Sequence, residues 1–271
     1  MNKKLLMKRL LLVLLMAAPC WAANVFTGDP NCVALWRFES GALDTDTIGN
    51  NDLTSSNLAD SASYKEGSNA VQITYTTSSA VVADANLDSG YPFKSGGTQR
   101  NISVCFWAYY TGIGNGRRLY GKYAASAGNR SFGIIFDTTQ DTKIYVGYNS
   151  GNSAEILSDT STTLVANQWY HVGVTFDTSK NWRIRIWDDT GSSVGETSGT
   201  ATNSVYISAI AQGIGSDGDA AAGWGSGKLD ELVVFNDVLT AEQIDMIRSG
   251  TYGAPTGPIE GNAFMSTYNP N

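Results

Sequence analysis

Two neighbouring stretches, Tyr170-His171-Val172-Gly173-Val174-Thr175-Phe176 and Trp182-Arg183-Ile184-Arg185-Ile186-Trp187, decide the fold class. Both alternate, and each has one face that is wholly apolar. Successive side chains of a strand point to opposite faces, so a period of two marks a strand with one side on a core. Ile102-Ser103-Val104-Cys105-Phe106-Trp107-Ala108-Tyr109 repeats the pattern. One-faced alternation of this kind belongs to half-buried antiparallel strands.

Outward from these runs, the same reading predicts strands at residues 33–38, 70–73, 118–123, 131–136, 143–148, 154–157, 205–210 and 229–235. Turn-forming stretches separate them, among them Gly49-Asn50-Asn51-Asp52, Asn149-Ser150-Gly151-Asn152 and Gly215-Ser216-Asp217-Gly218-Asp219. Many short strands at such spacing indicate a sandwich or barrel, which commonly runs to about 200–250 residues as one unit. The one helix signal comes late. Thr240 is placed to N-cap residues 241–248, Gln243 to complete a capping box, and Gly250 to follow the end, with Ile244 and Ile247 on one face. The expected fold is therefore all-β, a two-sheet antiparallel sandwich with one short C-terminal helix.

Residues 1–22 read as a secretory signal: Lys3, Lys4, Lys8 and Arg9 precede an apolar run too short to span a bilayer, with cleavage expected after Ala22. Losing those four basic residues leaves 14 Lys and Arg against 25 Asp and Glu, a net charge of −11. So acidic a chain does not grip nucleic acid by its phosphates. The domain is expected over residues 23–252 and an irregular tail over 253–271, with a secreted, periplasmic or cell-surface location and no membrane span. Cys32 and Cys105 remain after cleavage, and an even pair in an oxidising compartment is expected to be bridged. The alternative is two buried thiols in adjacent strands.

Leu35-Trp36-Arg37-Phe38-Glu39 with Asp46-Thr47-Ile48-Gly49-Asn50-Asn51, then Gln168 to Asp177, then Gly227-Lys228-Leu229-Asp230-Glu231-Leu232-Val233-Val234-Phe235-Asn236 with Leu239-Thr240-Ala241-Glu242-Gln243-Ile244, stand in order along the chain. Together these words resemble bacterial LamG-like (laminin G-type) domains of the concanavalin A-like lectin and glucanase jelly-roll family. The resemblance implies a jelly roll and leaves function open, because folds of this kind host lectins, enzymes and interaction modules. It points to calcium as a possible cofactor, with Asp230 at the start of the closing strand and Asp46 with Asn50 in the first loop as ligands. Asp217 and Asp219, in a glycine loop, form a separate rim candidate.

Carbohydrate recognition needs aromatic faces for stacking and a few polar groups for orientation. Trp224, between glycines, and Tyr91 and Tyr123, near turns, are the candidate ligand-binding residues, whereas Trp36, Trp107, Trp169 and Trp182 are assigned to the core. Arg183, Arg185 and Trp187 share a face and could form a polar platform. His171, the sole histidine, reads as structural. Glucanases of this fold commonly carry a Glu-x-Asp-x-x-Glu word on one strand, and none is present; the adjacent Asp230 and Glu231 should point to opposite faces. The sequence thus favours a non-catalytic module that binds a glycan or polysaccharide, with a structural or adhesion protein binding a cell-surface or matrix protein as the alternative and a glycoside hydrolase third.

Overall fold

The alternating runs become ladder strands because each apolar face finds an opposing one. The computed structural model describes residues 24–253, except 75–76, 113–116, 125–127, 152 and 220–225. In chain order the strands are β1 (Cys32–Trp36), β2 (Thr54–Ser56), β3 (Ala59–Ser61), β4 (Ala70–Ile73), β5 (Ser79–Val82), β6 (Ile102–Tyr110), β7 (Arg117–Tyr123) and β8 (Arg130–Phe136). They continue with β9 (Thr142–Gly147), β10 (Ala154–Ser158), β11 (Gln168–Phe176), β12 (Asn181–Asp188), β13 (Ser193–Thr200), β14 (Gln212–Ile214) and β15 (Gly227–Phe235), and end at helix α1 (Ala241–Arg248). Sheet A runs β13-β12-β11-β6-β15-β4-β3, with β1 also on β15; sheet B runs β10-β9-β8-β7-β14-β5-β2. All pairings are antiparallel, and non-sequential neighbours such as β6 beside β15 make this a jelly-roll sandwich.

The core lies between the sheets. Val104, Phe106, Tyr170, Val172, Val174, Ile184 and Ile186 of sheet A meet Phe132, Ile134, Ile144 and Val146 of sheet B. Full burial of each such side chain is worth about 1.5–3 kcal/mol. A second apolar cluster lies on the outside of sheet A, where Ile244 and Ile247 of α1 join Leu35, Cys105, Val233 and Phe235. Gly173 makes this contact possible, because a Cβ there would stand 2.4 Å from Ile244 Cγ2. The helix starts as expected, with Gln243 N donating to Thr240 Oγ1 (3.2 Å) and Thr240 N to Gln243 Oε1 (2.9 Å). Nearby the two ends of the domain meet, Val25 N donating to Tyr252 O and Phe26 stacking on Tyr252.

Two expectations change. Residues 205–210 form no ladder; they cross the ends of β9 and β8 through single bonds, Tyr206 N to Gly147 O and Ser208 N to Ser131 Oγ. The disulfide is also absent: Cys32 and Cys105 are free, buried thiols. Cys32 pairs with Phe235 along one edge of β15 and Cys105 with Val233 along the other, so β15 lies between them. Two strands flanking a third are about 9–10 Å apart, beyond the roughly 7 Å limit for bridging. Burial instead holds both thiols protonated, pushing Cys32 up to about 12 and Cys105 higher still.

Candidate functional site

Cross-strand register arranges the outside of sheet A in rows, and α1 lies across the middle of them. The row Val233, Cys105, Gly173, Arg185, Glu196 is covered by the helix, which adds an Arg185–Asp245 ion pair at 2.6 Å. Beyond it come two aromatic rows: Asp230, Trp107, His171, Trp187, and then Lys228, Tyr109, Trp169. Trp107 lies T-shaped on His171 (5.1 Å between centroids) and Tyr109 on Trp169 (5.4 Å). Cations cover the rings: Lys65 over Trp107 at 4.7 Å, Lys228 over Tyr109 at 4.7 Å and Arg248 over Trp187 at 4.1 Å. Such contacts are worth about 0.5–1 kcal/mol when exposed. Trp107 and Trp169 are buried, Tyr109 and Trp187 half-buried, and Tyr64, beside Lys65 in sequence, is 43% exposed. Lys65 also pairs with Asp189 at 2.8 Å. The patch therefore offers edges and faces of large rings amid charged groups.

Trp107 and Trp169 were assigned to the core by their strands, but they belong to a cluster outside the sandwich, together with Ala70. The informative signal is that β6 is apolar on both faces: Val104 and Phe106 point inward, Cys105 and Trp107 outward. His171 fits its structural reading, buried against Trp107 and held uncharged by that burial, with its pKa lowered to about 3.

A β-bulge overturns the expectation for Asp230 and Glu231. The register slips between Asp230 and Val233, and Glu231 takes a positive φ of 46°, so strict alternation fails there. Both carboxyls end near Glu66 rather than on opposite faces. Asp230 Oδ2 accepts from Lys65 N (2.7 Å) and Glu66 N (3.0 Å), while Oδ1 has no hydrogen-bond partner. Glu231 pairs with Arg37 Nη1 at 3.0 Å. Desolvation raises Asp230 to about 7 and Glu231 to about 8, against the backbone donors and Arg37 that oppose it, and Glu66 is raised as well. Asp230 is 0% and Glu231 4% exposed, so this acid pair is sealed from any substrate.

The expected calcium set does not come together. Asp46 Oδ1 accepts from Leu35 N and Ile48 N, and Oδ2 from Asn51 N and Nδ2, at 2.8–3.1 Å, which occupies the carboxylate with N–H donors. Asn50 turns to Asp88, to which it donates through N (2.9 Å) and Nδ2 (3.4 Å). Asp230 belongs to the separate network around Lys65 and Glu66. Asp46, Asn50 and Asp230 therefore do not fit a calcium ion, and among the described residues no three His, Cys, Asp or Glu are placed to hold a metal. Asp217 forms an ion pair with Arg118 at 2.5 Å.

The candidate ligand aromatics fare similarly. Tyr91 is fully buried, its hydroxyl 3.0 Å from that of Tyr120. Tyr123 is buried on sheet B, its ring against the bare Cα of Gly133 and under Arg118 at 4.0 Å. Proximity to a turn says nothing about where a ring points. Trp224 lies outside the described residues.

The profile of the concanavalin A-like lectin/glucanases superfamily matches residues 78–245. No sequence of curated function matches the chain. Among solved structures, it resembles the binding domain of botulinum neurotoxin DC in complex with rat synaptotagmin II (TM-score 0.58, 11% identity, 82% of this chain and 52% of that one). A structure of botulinum neurotoxin type C, whose cell entry depends on interaction with two ganglioside molecules, gives 0.57, 11%, 82% and 51%. Domain 4 of AbnA, a GH43 extracellular arabinanase from Geobacillus stearothermophilus, in complex with arabinotriose, gives 0.53, 15%, 80% and 98%. The chain spans about half the length of the toxin chains and nearly all of the arabinanase domain. At these identities the likeness is one of fold.

Proposed function

The chain belongs to the concanavalin A-like lectin/glucanase superfamily, and from that premise we propose that it is a non-catalytic module that recognises an extended glycan through the aromatic patch of sheet A. The carrying observation is the half-buried pair Trp187 and Tyr109, with Lys228, Lys65 and Asp189 beside them. The apolar face of a sugar ring stacks on an aromatic side chain, while neighbouring charged groups hydrogen-bond its hydroxyls. Structural neighbours that interact with gangliosides or are in complex with arabinotriose support a binding role. Burial of Asp230 and Glu231 argues against hydrolysis, since neither carboxyl can reach a glycosidic oxygen.

The basic and apolar leader supports export, and N-terminal sequencing of secreted material starting at residue 23 would bear that out. Among the described residues no helix is long and apolar enough to cross a membrane. Affinity electrophoresis through gels containing arabinan, xylan, galactan or glucan tests the glycan reading. Retardation by at least one polysaccharide, lost in Trp187→Ala and unchanged by chelator, is the expected result. A second reading is a protein partner on the same patch, because Trp, Tyr and Arg also dominate protein interfaces. One structural neighbour is in complex with synaptotagmin II.

A further inference from the structure

The two sheets end in edge strands, and the edges are not treated alike. β2 and β3 are three residues long, too short to offer a template. β10 has five residues, and its Glu155 carboxylate accepts from Thr202 N and Asn203 N at 2.8 Å each, which seats that bend against it. The outer side of β1 is taken by the first loop, Leu35 N donating to Asp46 Oδ1 and Thr47 N to Leu35 O. β13 differs from all of them. It has eight residues, Ser193–Thr200, paired with β12 throughout and without a bulge, and all but Gly195 and Thr197 are exposed. In an antiparallel ladder the backbone groups of alternate residues point away from the partner strand. Among the described residues nothing bonds those of β13.

Sheet edges are normally blunted by lysine, proline, a bulge or an unpaired charge. β13 carries no lysine or proline, and its one charge, Glu196, is already balanced by Arg185 at 2.7 Å and Arg183 at 3.2 Å. Val194, Thr197 and Thr200 favour extended backbone. The edge is therefore long, straight and locally neutral.

We propose that β13 pairs antiparallel with β13 of a second copy of this chain, about a two-fold axis through Thr197. Strand parity demands that a residue on one face meet a residue on the same face, so the axis of a symmetric pair passes through a residue. Axes through residues 196 and 197 pair the most of β13, but the first sets Glu196 against its own copy, and like charges directly opposite repel. The axis at Thr197 sets Glu196 against Ser198 and Val194 against Thr200. It also brings Ser193 opposite Ala201. Asp188, the β12 neighbour of Ser193, then shares an end of the new ladder with Lys180, whose carbonyl accepts from Ala201 N. Unlike charges thus meet at both ends. An axis perpendicular to the sheet leaves both outer faces on one side, so the dimer displays two aromatic patches in the same direction. Only that bivalent display rests on the glycan reading; the pairing itself does not.

A contact one strand wide lies at the low end of specific interfaces, and a dissociation constant on the order of 10–100 μM is expected. Sedimentation velocity of the full chain across that range, without any glycan, tests the pairing. Ser198 is exposed and makes no hydrogen bond through its side chain, so its substitution leaves the fold intact. Ser198→Glu places two carboxylate pairs face to face in the dimer and should weaken association roughly 2–30-fold. Ser198→Lys sets opposite charges there and should associate at least as tightly as the wild type. Amide hydrogen exchange within residues 193–200 should slow as concentration rises. A wild type that stays monomeric throughout would leave the edge to a strand from another protein and overturn the proposal. So would equal association of Ser198→Glu and wild type, or exchange that slows elsewhere and not in β13. Gel retardation by polysaccharide is a separate readout, so failure of the aromatic patch and failure of the pairing are distinguishable.

Discussion

The two halves of sheet A's outer face share strands β6, β11 and β12 and differ in what falls at the outward positions. On one side of α1 these are Trp107, Tyr109, Trp169 and Trp187; on the other they are Ser103, Thr175, Arg183 and Ser198. Large rings fill their side and draw Lys65, Lys228 and Arg248 over them. Short polar side chains leave their side hollow, and a groove results. Strand parity thus sets two unlike surfaces on one ladder, and a single glycine, Gly173, seats the helix that lies between them.

Removing the divider should have the largest effect. Ile244→Ala strips the main contact of α1 with the sheet and should cost about 2–5 kcal/mol in urea unfolding, because Ile244 is buried. If gel retardation by polysaccharide survives that loss unchanged, the helix does not hold the aromatic patch in place.

The next effect lies beside the aromatic patch and depends on pH. Asp230 and Glu231 have pKa values raised from 3.8 and 4.5 to about 7 and about 8, so the folded chain keeps protons that the unfolded chain releases. Their contribution to stability is complete below the unfolded values and is lost as pH rises through the folded ones. Asp137 and Glu155, whose pKa values are lowered by hydrogen bonds that outweigh their desolvation, act with the opposite sign at lower pH, and His171, lowered by burial from 6.5 to about 3, opposes the decline up to about pH 6.5. The urea midpoint should therefore fall most clearly between about pH 6.5 and pH 8. Asp230→Asn, which still accepts from Lys65 N and Glu66 N, should flatten that decline; an unchanged slope would remove the acid pair from the account.

Thr240→Ala removes the capping box and should cost about 1 kcal/mol, measured by the same unfolding curves. Cys32 and Cys105 should both resist alkylation in the folded chain and both react in denaturant without reductant. Recovery of a Cys32–Cys105 disulfide by mass mapping would show that β15 does not lie where the ladder puts it.

The fold was largely legible because its main strands alternate strongly: β6, β11, β12, β15 and α1 lie within a residue or two of where the pattern places them. Short edge strands such as β2 and β3, and the polar β13, carry too few apolar positions to show a period. Residues 205–210 alternate as a strand would, but they join no ladder and only touch β9 and β8 through Tyr206 and Ser208. The site was less legible. Alternation gives two faces without saying which lies inside, so Trp107 and Trp169 read as core until Val104, Phe106, Tyr170 and Val172 claim the interior. Asp230 and Glu231 escape the two-residue rule through a bulge that depends on the partner strand. Asp46 looks like a metal ligand until its four N–H donors, from residues 35, 48 and 51, are in place.

The most direct test of the central claim is affinity electrophoresis of the wild type, Trp187→Ala and Arg183→Gln side by side in polysaccharide gels. The account predicts that wild type and Arg183→Gln are retarded equally by at least one polysaccharide and that Trp187→Ala runs free. Retardation of Trp187→Ala equal to the wild type, or no retardation of the wild type in any gel, would contradict it.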